Sequence, residues 1–214
     1  MLLIDKREIR RDYSFGSLSR SDLNLSPLEQ FSRWFSDAEN AGLVDVSAMA
    51  LATSDLAGKP TARIVLLKHF DEFGFCWYTD YQSTKGSQLS ANKYCEVLFY
   101  WKELDRQVRI SGETNRTSAE ESDNYFRERP IESQAACCAS DQSSPIESRE
   151  ALEDSYRSQI VLGTEKKLKR PERWGGYRLV PSEYEFWQGR EGRLHDRFRY
   201  QFSNGQWSIS RLQP

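Results

Sequence analysis

The sequence predicts a mainly β chain with peripheral helices (α+β), in which antiparallel strands from both ends of the chain close one barrel. Three observations carry this expectation. Between Ala48 and Thr114 apolar residues recur with a period of two, in runs separated by Gly, Asp and Pro turns at hairpin spacing. From Ser118 to Leu162 the period lengthens to that of helices. After Trp174 the two-residue period returns, and Asn204-Gly205 between Tyr200-Gln-Phe and Gln206-Trp-Ser-Ile marks a type I′ hairpin. No G-x-G-x-x-G follows a strand, so a doubly wound nucleotide-binding sheet is not indicated.

Residues 5–22 are highly charged and offer little to bury, so residues 1–22 read as a mobile arm and 23–214 as a single domain. Pro27 opens an amphipathic helix, with Leu28, Phe31, Trp34, Phe35 and Ala38 at helical spacing and Gly42 as its stop. Ala48–Thr53 reads as a buried strand, 55–60 as a turn, and 61–69 as a second strand. After the turn at 71–74 comes a third strand, Phe75–Thr79. Ser83 is the expected N-cap of a short helix over 83–92, whose exposed amides and Lys85 suit an anion. Strands over 94–101 and 106–114 follow. Ser118-Ala-Glu-Glu then resembles a capping box, and 147–157 carries charge pairs at helical spacing. Residues 165–173 read as a loop, and Trp174–Val180 begins the last sheet segment.

At 214 residues the chain can bury one substantial core. A net charge of −2 gives no electrostatic case for nucleic acid or an anionic membrane as partner. No apolar run approaches membrane-spanning length, and Met1-Leu-Leu-Ile-Asp-Lys-Arg turns charged too soon for a secretory signal. Cys76, Cys95, Cys137 and Cys138 form no C-x-x-C pair, which points to a reducing, cytoplasmic setting. With only His69 and His195 present, no metal site is expected.

The segment Glu185–Phe198 concentrates three arginines, an aromatic wall and His195 around Gly189 and Gly192. Arg193, His195 and Arg197 share a parity; if the strand begins early, all three face one side and suit an anionic, aromatic ligand. The alternative is a solvated polar face on an edge strand. Arg63-Ile-Val-Leu-Leu-Lys68 is an apolar strand bounded by two cations, expected on opposite faces. Tyr78-Thr79 with Ser83/Lys85, and Tyr125/Arg129/Ser133 at four-residue steps, are two sets of phosphate-binding residue types. For the second set taken alone, a helix face stopped by Pro130 is the favoured reading. Cys137-Cys138 reads as small buried helix residues rather than a redox pair.

Taken together, R-I-V-L-L-K (63–68), Y-T (78–79), S-x-K (83–85), R-Q-V (106–108), Y-F-x-x-R-P-x-x-S-Q (125–134), Q-S-S (142–144), W-G-G-Y-R (174–178) and E-F-W-Q-G…R-L-H-D-R (185–197), with R-R-D-Y (10–13), resemble the pyridoxine/pyridoxamine 5′-phosphate oxidase family over nearly the whole chain. The resemblance implies an FMN-binding split β-barrel and a homodimer with the flavin between subunits. It implies FMN contacts from Arg63, Ile64, Val65, Leu66, Lys68, Tyr78, Thr79, Ser83, Thr84, Lys85 and Gln107, with Gln142, Ser143, Trp187 and Arg197 from the other subunit. Lys68, Tyr125, Arg129 and Ser133 would hold the substrate phosphate. Arg193 and His195 would lie against the pyridine ring as catalytic residues, Arg193 orienting the substrate and His195 hydrogen-bonding the ring hydroxyl and assisting proton removal. Arg10 and Tyr13 would close over that ring, making the arm a lid.

The implied activity is oxidation of pyridoxine 5′-phosphate and pyridoxamine 5′-phosphate to pyridoxal 5′-phosphate. O2 would be the acceptor, giving hydrogen peroxide, and ammonia would leave from the amine. Two departures stand out. Thr84 replaces a common Arg, which predicts weaker FMN retention, and Ala135-Ala-Cys-Cys-Ala139 replaces a segment that usually carries Gly and Trp. The alternatives are an NAD(P)H-dependent flavin reductase on the same barrel, and a non-catalytic carrier of pyridoxal phosphate or FMN. A second phosphate pocket has no use in a reductase.

Overall fold

A computed structural model describes residues 12–214; Arg10 and the rest of 1–11 lie outside the described residues. The elements are helix α1 (Pro27–Asn40), strands β1 (Ala48–Ser54), β2 (Pro60–Leu66), β3 (His69–Asp71) and β4 (Gly74–Asp80), helix α2 (Thr84–Ala91), and strands β5 (Tyr94–Trp101) and β6 (Arg106–Arg116). Helices α3 (Ala119–Glu128), α4 (Ile131–Ala139) and α5 (Arg149–Glu165) and strands β7 (Trp174–Gln188), β8 (Asp196–Ser203) and β9 (Gln206–Leu212) complete the chain. The strand order is β2-β1-β5-β6-β7-β4-β3, with β8 paired to β7 and β9 to β8. This is the mainly antiparallel sheet with peripheral helices that the sequence predicts.

The chain forms two compact units. One comprises residues up to Val46, Leu98–Ile110 and Ser182–Pro214; the other comprises Ser47–Val97 and Ser111–Pro181. In the second unit, β1 and β2 form the expected hairpin, with Leu51 opposite Arg63 and Thr53 opposite Thr61. Met49, Leu51 and Thr53 point inward from β1, as a strand of period two requires. Strand β4 lies between β3 and β7 and is buried on both faces, hence its near-continuous run Phe75-Cys-Trp. Phe126, Ala135, Leu168 and Trp174 form a separate cluster beneath α3, α4 and α5.

In the first unit, α1 turns Phe31, Trp34 and Ala38 into the core. Trp34 meets Phe186 edge-on at 5.3 Å between ring centroids, and Phe31 lies 5.0 Å from Phe99. Burying a side chain such as Phe31 contributes roughly 1.5–3 kcal/mol. Pro27 sits in the first turn and the Ser26 hydroxyl accepts from the Glu29 amide. Asn204 (φ 51°) and Gly205 (φ 78°) have the left-handed backbone that the β8–β9 turn needs.

Three expectations are altered. The strand expected over 61–69 breaks at Leu67-Lys68. There the Leu67 amide bonds Ser47 O and the Lys68 amide bonds Cys76 O, so the chain leaves β1 and joins β4. Strand β7 extends through Pro181 to Gln188, pairing with β4 over 174–179 and with β8 over 183–188. The partner changes around the proline, which has no N–H to give a ladder. Strand β8 begins only at Asp196, so Arg193 and His195 lie before it and do not share a strand face with Arg197. Arg193 ends a 3-10 turn at φ 62°, strained for a residue with a side chain.

Candidate active site

A cavity of about 920 Å³ opens in the second unit. Strand β2 and its exit supply Arg63, Ile64, Val65, Leu66 and Lys68; β4 supplies Tyr78, Thr79 and Asp80; the start of α2 supplies Thr84 and Lys85. Tyr125, Arg129, Ser133, Cys137, Gln142, Ser143, Arg173 and Trp174 line the rest. Two sets of residues far apart in sequence thus share one chamber. Arg63 and Lys68, expected on opposite faces of a strand, both reach it because the strand ends between them. Gln142 and Ser143, expected from a second subunit, line the cavity of the same chain.

Lys85 is only 7% exposed. Its ammonium donates to Thr79 Oγ1 (3.2 Å), Ser83 Oγ (3.3 Å) and Gln142 Oε1. Burial, then the neighbouring Arg63, pull its pKa down to about 8, with Asp80 opposing. Arg63 donates to Leu51 O, Thr53 Oγ1 and Thr61 Oγ1, and burial lowers its pKa. Among the described residues neither cation has a carboxylate within ion-pair distance. Ser83 is fully buried and does not line the cavity. Its hydroxyl caps α2 by accepting from Gly86 N and donates to Asp80 O. It therefore supports Lys85 rather than facing a ligand.

An aromatic wall stands opposite. Tyr78 stacks on Tyr125 at 3.9 Å and on Trp174 at 5.6 Å. Burial pushes both tyrosine phenols up, so they stay protonated donors. The Arg129 guanidinium lies 4.8 Å over the Trp174 ring and donates to Cys137 Sγ. Burial raises the Cys137 thiol too, which makes it a neutral packing group.

Sequence reasoning missed Arg173. Its guanidinium bonds Asp80 and Asp141 and donates to the carbonyls of Ser140 (2.9 Å), Cys137 (3.2 Å) and Cys138 (3.3 Å). It thereby closes the C-terminal end of α4 and ties it to the end of β4. Arg173 lies in a basic loop without periodicity, so no local signal marks it. Nearby, ligand atoms of His69, Cys76 and Glu121 lie within 4.8 Å of one another. The Arg178 guanidinium is already there, 3.3 Å from His69 Nε2, 3.2 Å from Glu121 and 2.6 Å from Asp71. Burial holds the Cys76 thiol up at about 12, so a metal cation would meet a like charge and a neutral thiol.

The remaining expected residues belong to the first unit, and Gln107 is half-buried there on β6. The Trp187 and His195 rings lie 4.7 Å apart, and Tyr13 meets them edge-on at 5.5 and 5.1 Å. Arg197 pairs with Glu185 at 2.8 Å and with Gln213 O. The Arg190 amide donates to His195 Nδ1 at 3.1 Å. Burial, then Arg193, lower the His195 pKa, so the ring is neutral near pH 7. With Nδ1 accepting, the ring proton resides on Nε2, and His195 presents an N–H donor there.

Residues 35–158 match the family model described as Pyridoxamine 5'-phosphate oxidase, and residues 174–214 match the Pyridoxine 5'-phosphate oxidase C-terminal dimerisation region. A pyridoxine/pyridoxamine 5'-phosphate oxidase of Paraburkholderia phytofirmans is 51% identical over 209 residues, covering 97% of this chain and 98% of the relative. Among solved structures, PhzG from Burkholderia lata, in complex with tetrahydrophenazine-1-carboxylic acid, superposes with a TM-score of 0.87 at 34% identity, covering 91% of this chain and 95% of that one. A pyridoxamine 5'-phosphate oxidase-related, FMN-binding protein of Nostoc punctiforme shares the fold with a TM-score of 0.71 at 20% identity, over 90% of this chain and all of that one. The chain belongs to the pyridoxine/pyridoxamine 5′-phosphate oxidase family.

Proposed function

We propose that this chain, as a homodimer, binds FMN and oxidises pyridoxine 5′-phosphate and pyridoxamine 5′-phosphate to pyridoxal 5′-phosphate, with O2 as acceptor. One observation carries the reading. The cavity is lined by five cations, Arg63, Lys68, Lys85, Arg129 and Arg173, against a single carboxylate, Asp80. A phosphate monoester carries roughly −1.5 to −2 charge near neutral pH, so two phosphorylated ligands balance the excess.

The donor set fits the cofactor. Half-buried Arg63 and buried Lys85, without carboxylate partners among the described residues, would hold the FMN phosphate with Thr79, Thr84 and Gln142. Bound FMN supplies a two-electron acceptor that no side chain of the protein offers. Lys68, Arg129, Tyr125 and Ser133 would hold the substrate phosphate, and the Tyr78–Tyr125–Trp174 wall would exclude water. The match of residues 174–214 to a dimerisation region supports the homodimer. Arg193 would orient the pyridine ring. His195, with its proton on Nε2, would donate to the ring hydroxyl as expected, rather than remove a proton.

The PhzG likeness favours a second reading, a ring substrate whose anion is a carboxylate. Both are tested by adding pyridoxine 5′-phosphate, tetrahydrophenazine-1-carboxylic acid or NADPH, separately, to FMN-loaded protein without air. The flavin band near about 450 nm is followed, and air is then admitted. Bleaching by the phosphate ester alone, with peroxide on re-aeration, is the expected result. Bleaching by the carboxylic acid alone selects the second reading. Bleaching only by NADPH selects a reductase.

A further inference from the structure

From Tyr13 to Leu18 the chain is tied to the first unit by contacts unlike those of a loose arm. The amides of Ser14 and Phe15 donate to Asp105 Oδ2 at 3.2 and 3.3 Å. The Leu18 amide donates to Asp196 Oδ2 at 3.0 Å, and its side chain is 3% exposed. Asp105 sits in a left-handed turn (φ 51°) and is itself buried. Its carbonyl, on the other side, accepts from the Gly189 amide at 2.8 Å and from the Gln188 side chain at 3.2 Å. One residue thus sets the register of this strap against the start of the loop that carries Arg193 and His195.

Gly189 provides the second half of the seat. A Cβ at this position would lie 2.6 Å from Tyr13 Cδ1 and 2.9 Å from both its Cβ and Cγ. A rotamer change can move Cγ and Cδ1 but not Cβ, which the backbone fixes, so the strap backbone has to move to relieve the overlap. The Gly189 backbone is not in the left-handed region, so its conformation accepts alanine, and the three nearest atoms the methyl would meet all belong to the Tyr13 side chain.

We propose that Gly189 and Asp105 are positioning residues that seat Tyr13 edge-on against Trp187 and His195, and that the resulting strap, residues 13–18, sets the affinity for the ring of the substrate. The proposal rests on the reading of the site given above, in which Tyr13 closes over that ring. Side-chain bulk at position 189 and loss of the carboxylate at 105 then act on the same step, through Tyr13, without touching the cation-lined cavity.

The test uses the FMN-loaded full chain and the variants Gly189→Ala, Tyr13→Ala, their double variant, and Asp105→Gly, which suits the left-handed turn and removes the acceptor. Gly189→Ala should raise KM for pyridoxine 5′-phosphate by about tenfold, the scale of two lost aromatic edge contacts. Tyr13→Ala should do the same, and the double variant should be no worse than either, because the added methyl, which still meets the Cβ of residue 13, displaces a strap that has no ring left to misplace. FMN affinity should be unchanged throughout. Limited proteolysis within residues 12–20, which needs no substrate, should accelerate in Gly189→Ala and in Asp105→Gly. Additive losses in the double variant, or a strap as resistant to protease in Gly189→Ala as in the parent, would overturn the proposal. If the strap is released in the variants but no form of the protein oxidises pyridoxine 5′-phosphate, the seat stands and the functional reading fails instead.

Discussion

Lys85 and His195 illustrate how burial, rather than residue type, decides what a side chain can do. Lys85 titrates at about 8 in the free protein because burial and Arg63 disfavour its charge. A bound phosphate favours the ammonium and so raises the bound-state value. Between the two values binding takes up a proton, so FMN affinity should fall as pH rises past about 8. Lys85→Arg, permanently charged, should bind with little pH dependence, as flavin fluorescence quenching would show. A parent profile flat to pH 10 (about two units above that pKa) would contradict the assignment of Lys85. His195 has its pKa lowered, so activity should fall on the acid side, below about 6.5. Protonation puts a hydrogen on Nδ1, which then faces the Arg190 amide it had accepted from. As a donor, His195 should be better replaced by Gln than by Ala. His195→Ala should lose roughly 10–100-fold in kcat/KM, and His195→Gln should keep most activity and lose the acid limb. Equal losses in both would restore the general-base role.

At the scale of elements, helices α3 and α4 position the substrate-side residues, and their ends are secured differently. Ser118 caps α3 by accepting from the Glu121 amide, as its sequence signature predicted. Helix α4 has Pro130 at its N-cap, without a side-chain cap bond, and is closed at the other end by Arg173, from a loop more than thirty residues later. Asp80, the carboxylate partner, is 3% exposed. Removing one member of such a pair leaves the other buried and uncompensated, at a cost of about 3–5 kcal/mol. Arg173→Ala should lower the urea midpoint accordingly and weaken FMN binding, since Gln142 follows α4 directly. Arg173→Lys should recover part of both. Full FMN affinity in the alanine variant would show that Gln142 is held by other means. The α3 cap was legible because it lies within four residues of sequence; the α4 closure was not, because Arg173 and its partners meet only after folding.

For the whole molecule, the phosphate of the cofactor should matter more than its ring. FMN at a hundredfold excess over its Kd should stabilise the protein by about 2.7 kcal/mol. Riboflavin, which lacks the phosphate, should raise the thermal midpoint much less, since Arg63 and Lys85 gain no counter-charge from it. Equal shifts from both ligands would mean that the cation-lined cavity is not the cofactor site. The sequence by itself determined the class of every element but the short strand β3, because strand and helix periods, serine caps and the Asn204-Gly205 turn are local properties of the chain. Through its spaced motifs it also determined the family. Tertiary structure decided that Arg63 and Lys68 share a cavity, because β2 ends between them and the chain passes from β1 to β4. It decided that Ser83 is spent on a helix cap, that His195 presents Nε2–H, and that Arg173 and Gly189 matter at all. Each of these depends on which groups meet across long stretches of chain and on what burial does to their charge, and neither is encoded in the spacing of neighbouring residues.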